Sequence, residues 1–326
     1  MEMKKIKVAF IFKTSNVFMS GKHFDNTYYH FFVDALKRNP KIEVEYFHGE
    51  NEFDTKILKN KFDIIQLWGN TKFGMPEKLI GIQELDIPVI SCVSDPIDAK
   101  NSIPLHDEWK IDYYFHFLTE SFFYSLYPKH FKYKTIIHGL EPNLYQNLKN
   151  FDSRIKEKIL LTGAIGNSKP WSIIINDIMK PKWNAYRSYY LRTKCSKLPY
   201  VQYTPTLNHK FVNDEYPKLL EKFQASIAAT TNNPNIKYWE NAAAGCLTFM
   251  EVTKKNKGEY LGYIDGETAI FINENNYENK FLEYLNDVNN SKWKKIAEAG
   301  RNYTIQNLNN DKAVNDLVEI MEELIS

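Results

Sequence analysis

The sequence predicts an α/β protein made of two doubly wound parallel-sheet domains, and three observations carry that prediction. Short apolar runs without polar alternation recur along the chain, helical patterns separate them, and the series restarts after a polar segment from Gln146 to Lys158. A run that is apolar at every position needs cover on both faces, and the helix between two runs is the crossover that parallel strands require. With 326 residues, the length suits two domains of about 150 residues, each able to bury its own core.

Taken in order, the first-half strands are expected at Lys7 to Phe12, Ile42 to Phe47, Asp63 to Trp68, Pro88 to Val93, Asp112 to Phe117 and Thr135 to His138. Between them lie amphipathic segments such as Asn26 to Leu36, where Tyr29, Phe32, Val33 and Leu36 share a face. The second series opens with Lys158 to Gly163 and continues through Val201 to Thr204, Ala225 to Thr230, Leu247 to Glu251 and Ala269 to Ile272. A closing helix, Lys312 to Ile325, carries Val314, Leu317, Ile320, Met321 and Leu324 on one stripe. The expected organisation is residues 1–150 as the N-terminal domain, 151–306 as the C-terminal domain, and 307–326 as a helix packing back on the first.

Composition narrows the function classes. The 42 basic and 40 acidic side chains leave a formal charge of +2, too even a balance for a nucleic-acid partner. Aromatic residues form 15% of the chain, enough for packed interiors and stacking surfaces, which argues against disorder. Cys92, Cys195 and Cys246 stand far apart with no CxxC or Cys/His spacing, so reduced thiols and no metal site are expected. The opening MEMKKIKVAFIFK reads as a first strand rather than a leader, and no run approaches the roughly 18 apolar residues of a membrane span. A cytoplasmic protein is the resulting expectation.

In doubly wound sheets ligands bind beyond the carboxyl ends of the strands, so the loops there are where chemistry is sought. In LLTGAIGNSKPW, Gly163 and Gly166 follow a strand and let backbone amides approach a ligand, while Lys169 adds a cation suited to a phosphate. A charged hydrogen bond of that kind contributes roughly 1.5 to 3 kcal/mol. The plainer alternative is a tight turn with a solvated lysine. Neither the Walker spacing nor GxGxxG is present.

The second loop, TTNNPNIKYWE, leads into a helix of about 11 residues in which Asn233 caps, Pro234 takes the first position and Gly245 supplies the left-handed stop. Amides around Asn235 and Ile236, with Lys237 close by, would attract an anion, and Glu240 could accept two hydrogen bonds from a ribose diol. A surface glutamate paired with a neighbouring lysine is the alternative.

These residues carry a family resemblance. The run KYWENAAAGCLTFME, Lys237 to Glu251, resembles the signature of group 1 glycosyltransferases of the GT-B fold, family 4-like and most similar to the spore-maturation-type branch. LLTGAIGNSK, DGETAIFI and IAEAGRNYT extend the similarity through the second half, and HGLEPN at His138 to Asn143 resembles the family's hinge-side element. The resemblance implies two facing Rossmann-like domains, a nucleotide-sugar bound mainly to the second and a glycan or lipid-linked acceptor to the first. Residue by residue, Gly163 and Lys169 match the phosphate loop, Lys237 the basic position before the glutamate, and Glu240 the ribose-binding acid. Arg192, in YYLR, is added as a further phosphate partner. Many retaining members carry a second glutamate where this chain has Asn232, so the paired-carboxylate version of the site is missing.

The expected chemistry is transfer of a sugar from a nucleoside diphosphate by side chains and amides, with no metal and no cofactor, since no DxD pair lies in a suitable loop. An inverting reaction would need a base, for which His23, Asp25, Asp95 and His106 are candidates. Two basic aromatic stretches bear on the acceptor: Ser121 to Lys134 would lie on an anionic membrane at the inner face or stack sugars, the alternative being a helix packed on its sheet with snorkelling lysines, and Lys180 to Lys197 would face the diphosphate or solvent. Two alternatives remain open at this point: another GT-B activity such as a nucleotide-sugar epimerase or phosphorylase, and a non-catalytic two-lobed nucleotide or sugar sensor, which Asn232 favours.

Overall fold

The structure, a computed structural model, describes residues 5–13, 26–72, 74–179, 184–205 and 215–326. Thirteen strands occur among them: β1 (Ile6–Phe12), β2 (Ile42–His48), β3 (Glu52–Asp54), β4 (Ile64–Leu67), β5 (Lys78–Ile80), β6 (Val89–Cys92), β7 (Tyr113–His116), β8 (Tyr133–Thr135), β9 (Ile155–Thr162), β10 (Val201–Thr204), β11 (Phe223–Ala228), β12 (Leu247–Glu251) and β13 (Ile270–Ile272). They divide between two compact units, one of residues 1–139 with 310–326 and one of residues 140–309.

The first unit holds a six-stranded sheet in the order β2-β1-β4-β6-β7-β8, every pair parallel, and a small parallel pair β3-β5 that the sequence did not suggest. Strands β4 and β6 are buried along their whole length, which is why their sequences are apolar without alternation. The last strand, β8, starts two residues before the expected Thr135, where Tyr133 donates its hydroxyl to the His116 and Leu118 carbonyls at 2.9 and 2.6 Å. The helix Asn310–Ile325 closes this core with Val314, Leu317, Ile320 and Met321, and pairs Asn315 Oδ1 with Asn39 Nδ2 at 2.9 Å.

The second unit holds a five-stranded parallel sheet, β10-β9-β11-β12-β13. Its core is drawn from Ile159, Leu161, Ile227, Phe249, Phe281, Tyr284 and Trp293. The chain enters this unit within HGLEPN rather than near residue 150, because the segment that follows bonds here: Tyr145 O accepts from Arg301 Nη2 at 2.7 Å and Lys149 N–H donates to Glu221 at 2.9 Å. In this order β9 lies between β10 and β11, so the chain leaves β9 to one side, for β10, and crosses back to β11 on the other. The crevice between the carboxyl ends of β9 and β11 is therefore the switch point where doubly wound sheets take ligands.

Candidate functional site at the switch point

The loop after β9 is shaped by its two glycines, though differently from the expectation. Gly163 has φ +105°, open to glycine, and its amide is held by the Thr204 carbonyl at 3.3 Å. Gly166 donates to Thr193 Oγ1 at 2.9 Å, and a Cβ there would stand 2.1 Å from the Tyr186 Cα. Both amides are engaged, so the glycines permit the turn and a close packing contact and do not aim those amides at a ligand. Lys169 is exposed, its carbonyl accepting from Ile173 N–H at 3.1 Å as the helix Pro170–Met179 begins.

Arg192 lies in the helix Tyr190–Cys195 and spans the crevice. Its Nε donates to Ala229 O beyond β11 at 2.9 Å and its Nη1 to Ala164 O beyond β9 at 3.1 Å, while the guanidinium sits 4.5 Å over the Tyr189 ring. Its Nη2 is buried without a hydrogen-bond partner. At the end of β12, Glu251 is buried with Oε2 equally unpartnered, and burial lifts its carboxyl pKa to about 7 against the pull of the Arg192 charge. Nothing in sequence spacing marks Glu251, which reads there as a strand-end glutamate. The Thr231 hydroxyl oxygen, on the loop after β11, is also buried without a partner.

That loop leads into a helix of 7 residues, Lys237–Ala243, shorter than expected. The helix starts late, with Ile236 in the cap position: Asn235 Oδ1 accepts the Lys237 amide at 3.2 Å, and Asn233 is turned to the Pro234 carbonyl at 2.7 Å. The Lys237 amide, next to the Asn235 and Ile236 amides expected to attract an anion, is therefore already bonded. The stop is as expected: Gly245 has φ +72°, and Cys246 N–H returns to Asn241 O at 3.2 Å. Asn232 makes only a long contact to Ser188 Oγ, 3.4 Å. Ile236 takes part through its carbonyl, which accepts from Glu240 N–H at 2.9 Å.

Lys237 and Glu240 form a buried ion pair, Nζ to Oε2 3.0 Å. The ammonium also lies 3.9 Å from the Tyr216 ring centroid, and the Tyr216 hydroxyl shares a hydrogen bond with Thr162 Oγ1 at the end of β9, 2.7 Å. Burial pushes the Tyr216 phenol well up; the Glu240 charge adds to this and the Arg192 charge opposes it. Four charged side chains thus gather at these strand ends with no more than 4% exposure: Arg192 3%, Lys237 4%, Glu240 2% and Glu251 3%. Buried charges are costly and rare in a core unless paired.

Two of the four expected base candidates lie among the described residues. Asp95 is exposed after β6, its carbonyl accepting from Asp98 N–H at 2.9 Å. His106 is packed, with Nδ1 3.1 Å from the Tyr114 hydroxyl and its ring stacked 3.8 Å from that of Phe131; burial lowers its pKa. His23 and Asp25 lie outside the described residues. The aromatic stretch Ser121 to Lys134 is largely core: Phe123, Tyr127, Phe131 and Tyr133 are buried, Phe123 stacking on Tyr133 at 3.9 Å. The exposed apolar face lies instead on the helix Pro170–Met179, where Trp171 is 77% and Ile178 72% exposed.

No family model and no curated protein matches the sequence. Solved structures do match in fold. Alr3699/HepE of Anabaena in complex with UDP-glucose is 12% identical with a TM-score of 0.58, covering 98% of this chain and 100% of its own. Sucrose-phosphate synthase of Thermosynechococcus elongatus gives 0.60 at 10% identity over 98% of this chain and 99% of its own. An alpha-glucosyltransferase in complex with UDP-glucose and DNA containing an abasic site gives 0.59 at 10% identity, over 98% and 100%. The fold is the GT-B fold, two Rossmann-like doubly wound domains.

Proposed function

We propose that this chain is a metal-independent glycosyltransferase that moves a sugar, of hexosyl type, from a nucleoside diphosphate donor to a glycan, lipid-linked or protein acceptor. The observation that carries the reading is the convergence of Arg192, Lys237, Glu240 and Glu251, all buried, on the switch point of a sheet whose fold is shared with structures holding UDP-glucose. A breaking sugar–diphosphate bond needs positive charge at the leaving group, and Arg192 Nη2 offers a donor fixed in place by the other two bonds of its guanidinium. Glu240 is the acid for the ribose diol, with Lys237 passing from its carboxylate to the diphosphate. Lys169, exposed at the mouth of the loop, meets the donor from solvent.

The test is a panel of nucleotide-sugars, read for binding and for slow donor hydrolysis with the pure protein. Lys169→Ala, at an exposed position that leaves folding alone, and Glu240→Ala, with its fold checked by circular dichroism, are expected to weaken donor binding. Unchanged affinity in both counts decisively against the reading, and binding without turnover in the presence of acceptor extracts favours the sensor. The apolar helix Pro170–Met179 supports a peripheral contact with an anionic lipid surface, the segment from Lys169 to Lys197 being strongly basic. Cosedimentation with phosphatidylglycerol vesicles should fall in Trp171→Ser/Ile178→Ser; cosedimentation that survives the double substitution would refute it.

A further inference from the structure

Cys92, His116 and His138 are brought together in the first unit, all buried, with one ligand atom from each within 4.8 Å of the others. Sequence spacing pointed away from such a site, since Cys92 and His138 are 46 residues apart. Sheet order supplies the proximity: β6, β7 and β8 are neighbours, Cys92 ends β6, His116 ends β7, and His138 follows β8.

The spacing suits one ion. Cys92 Sγ lies 3.7 Å from His138 Nε2. Around a tetrahedral ion with sulfur at about 2.3 Å and nitrogen at about 2.0 Å, donors stand roughly 3.3–3.6 Å apart, so this pair is already near ligating distance. All three atoms lie within 4.8 Å of one another, so the widest separation exceeds ligating distance by at most about 1.5 Å. His138 Nδ1 is 2.9 Å from the Ile136 carbonyl, which can only accept, so Nδ1 carries the proton and Nε2 turns its lone pair toward the sulfur. Metal-bound histidines are oriented by this second-shell bond. The rings of Phe32, Phe115 and Phe117 stand 5.1, 5.8 and 5.8 Å from that of His138, a dry wall around the donors.

We propose that Cys92, His116 and His138 form a buried site for a soft or borderline d10 metal ion, zinc(II) or copper(I), clasping the carboxyl ends of three neighbouring strands. One sulfur and two imidazole donors exclude a hard ion such as magnesium or calcium, which needs oxygen. On uptake the thiol loses its proton to solvent and the thiolate offsets the ion's charge, fully for copper(I) and by half for zinc(II). The site is independent of the donor-binding reading, whose residues lie in the second unit.

The experiment uses the full chain, reduced and stripped with a chelator, then titrated separately with zinc(II), with cobalt(II) as a spectroscopic stand-in, and anaerobically with copper(I). One retained equivalent of zinc or copper is expected, and cobalt should give a near-ultraviolet thiolate-to-metal band. Cys92→Ser should abolish the band and weaken binding at least about ten-fold, while Cys195→Ser in the second unit keeps both. His138→Gln serves as the second test if Cys92→Ser fails to fold by circular dichroism. Retention of no equivalent of any of the three ions, or a thiolate band that survives Cys92→Ser in folded protein, overturns the assignment.

Discussion

Glu251 gives a quantity that can be worked out before it is measured. Its carboxyl, ordinarily titrating at 4.5, is lifted by burial to about 7 in the folded chain. Between these values the folded state holds a proton that the unfolded chain has released, so stability falls as pH rises from about 4.5 to 7 and levels off above. At 1.36 kcal/mol per pH unit, the interval corresponds to roughly 3 kcal/mol. Glu251→Gln keeps the shape and removes the titration. Urea midpoints for both proteins at pH 5, 6, 7 and 8 isolate this group, since every other titration is common to the pair. The stability of the variant minus that of the wild type should grow by up to about 3 kcal/mol across the window, most steeply between pH 5 and 7. A difference flat from pH 5 to 8 would refute the reasoning, because the carboxyl would then be ionised in a solvated environment and not held in a buried one.

Three further variants test the packing of the site. Lys237→Met leaves Glu240 buried without its cation and is expected to cost about 3–5 kcal/mol by urea denaturation at pH 7, with most of that recovered in Lys237→Met/Glu240→Gln; equal losses in the single and double variants would show that the pair is not coupled. Gly166→Ala places a methyl 2.1 Å from the Tyr186 Cα and should lose at least about 1–3 kcal/mol, with a midpoint within error of the wild type ruling out the close packing.

The sheets were legible because burial on both faces writes itself into the sequence as unalternated runs such as KILLTG and CLTFME, and the closing helix because Val314, Leu317, Ile320 and Met321 keep a helical period. Individual contacts that depend on distant segments were not. Gly166 looks like a phosphate-loop glycine until the helix beginning at Ala185 is seen against it. Asn233 is a good cap by type, yet its amide is turned to the Pro234 carbonyl and the helix begins only at Lys237, with Ile236 in the cap position. The stripe Trp171, Ile174, Ile175, Ile178 reads as an inward face by period alone, yet each of these residues is about half or more exposed. Periodicity reports which side chains share a face and is silent on what covers that face.

Electrostatics explains why the four buried charges belong together. Lys237 and Glu240 neutralise each other across 3.0 Å, and burial keeps Glu251 partly protonated near neutral pH, so the fold tolerates these groups before any ligand arrives. On the proposed reading, a diphosphate enters as an exchange: Lys237 trades a carboxylate for a phosphate, and Glu240, released from the ammonium, accepts from the ribose hydroxyls. Arg192, already anchored to Ala164 and Ala229, changes only the occupancy of Nη2. An arrangement in which each partner is replaced rather than stranded reorganises little on binding, and preorganisation of that kind is what a site must have to favour a departing diphosphate.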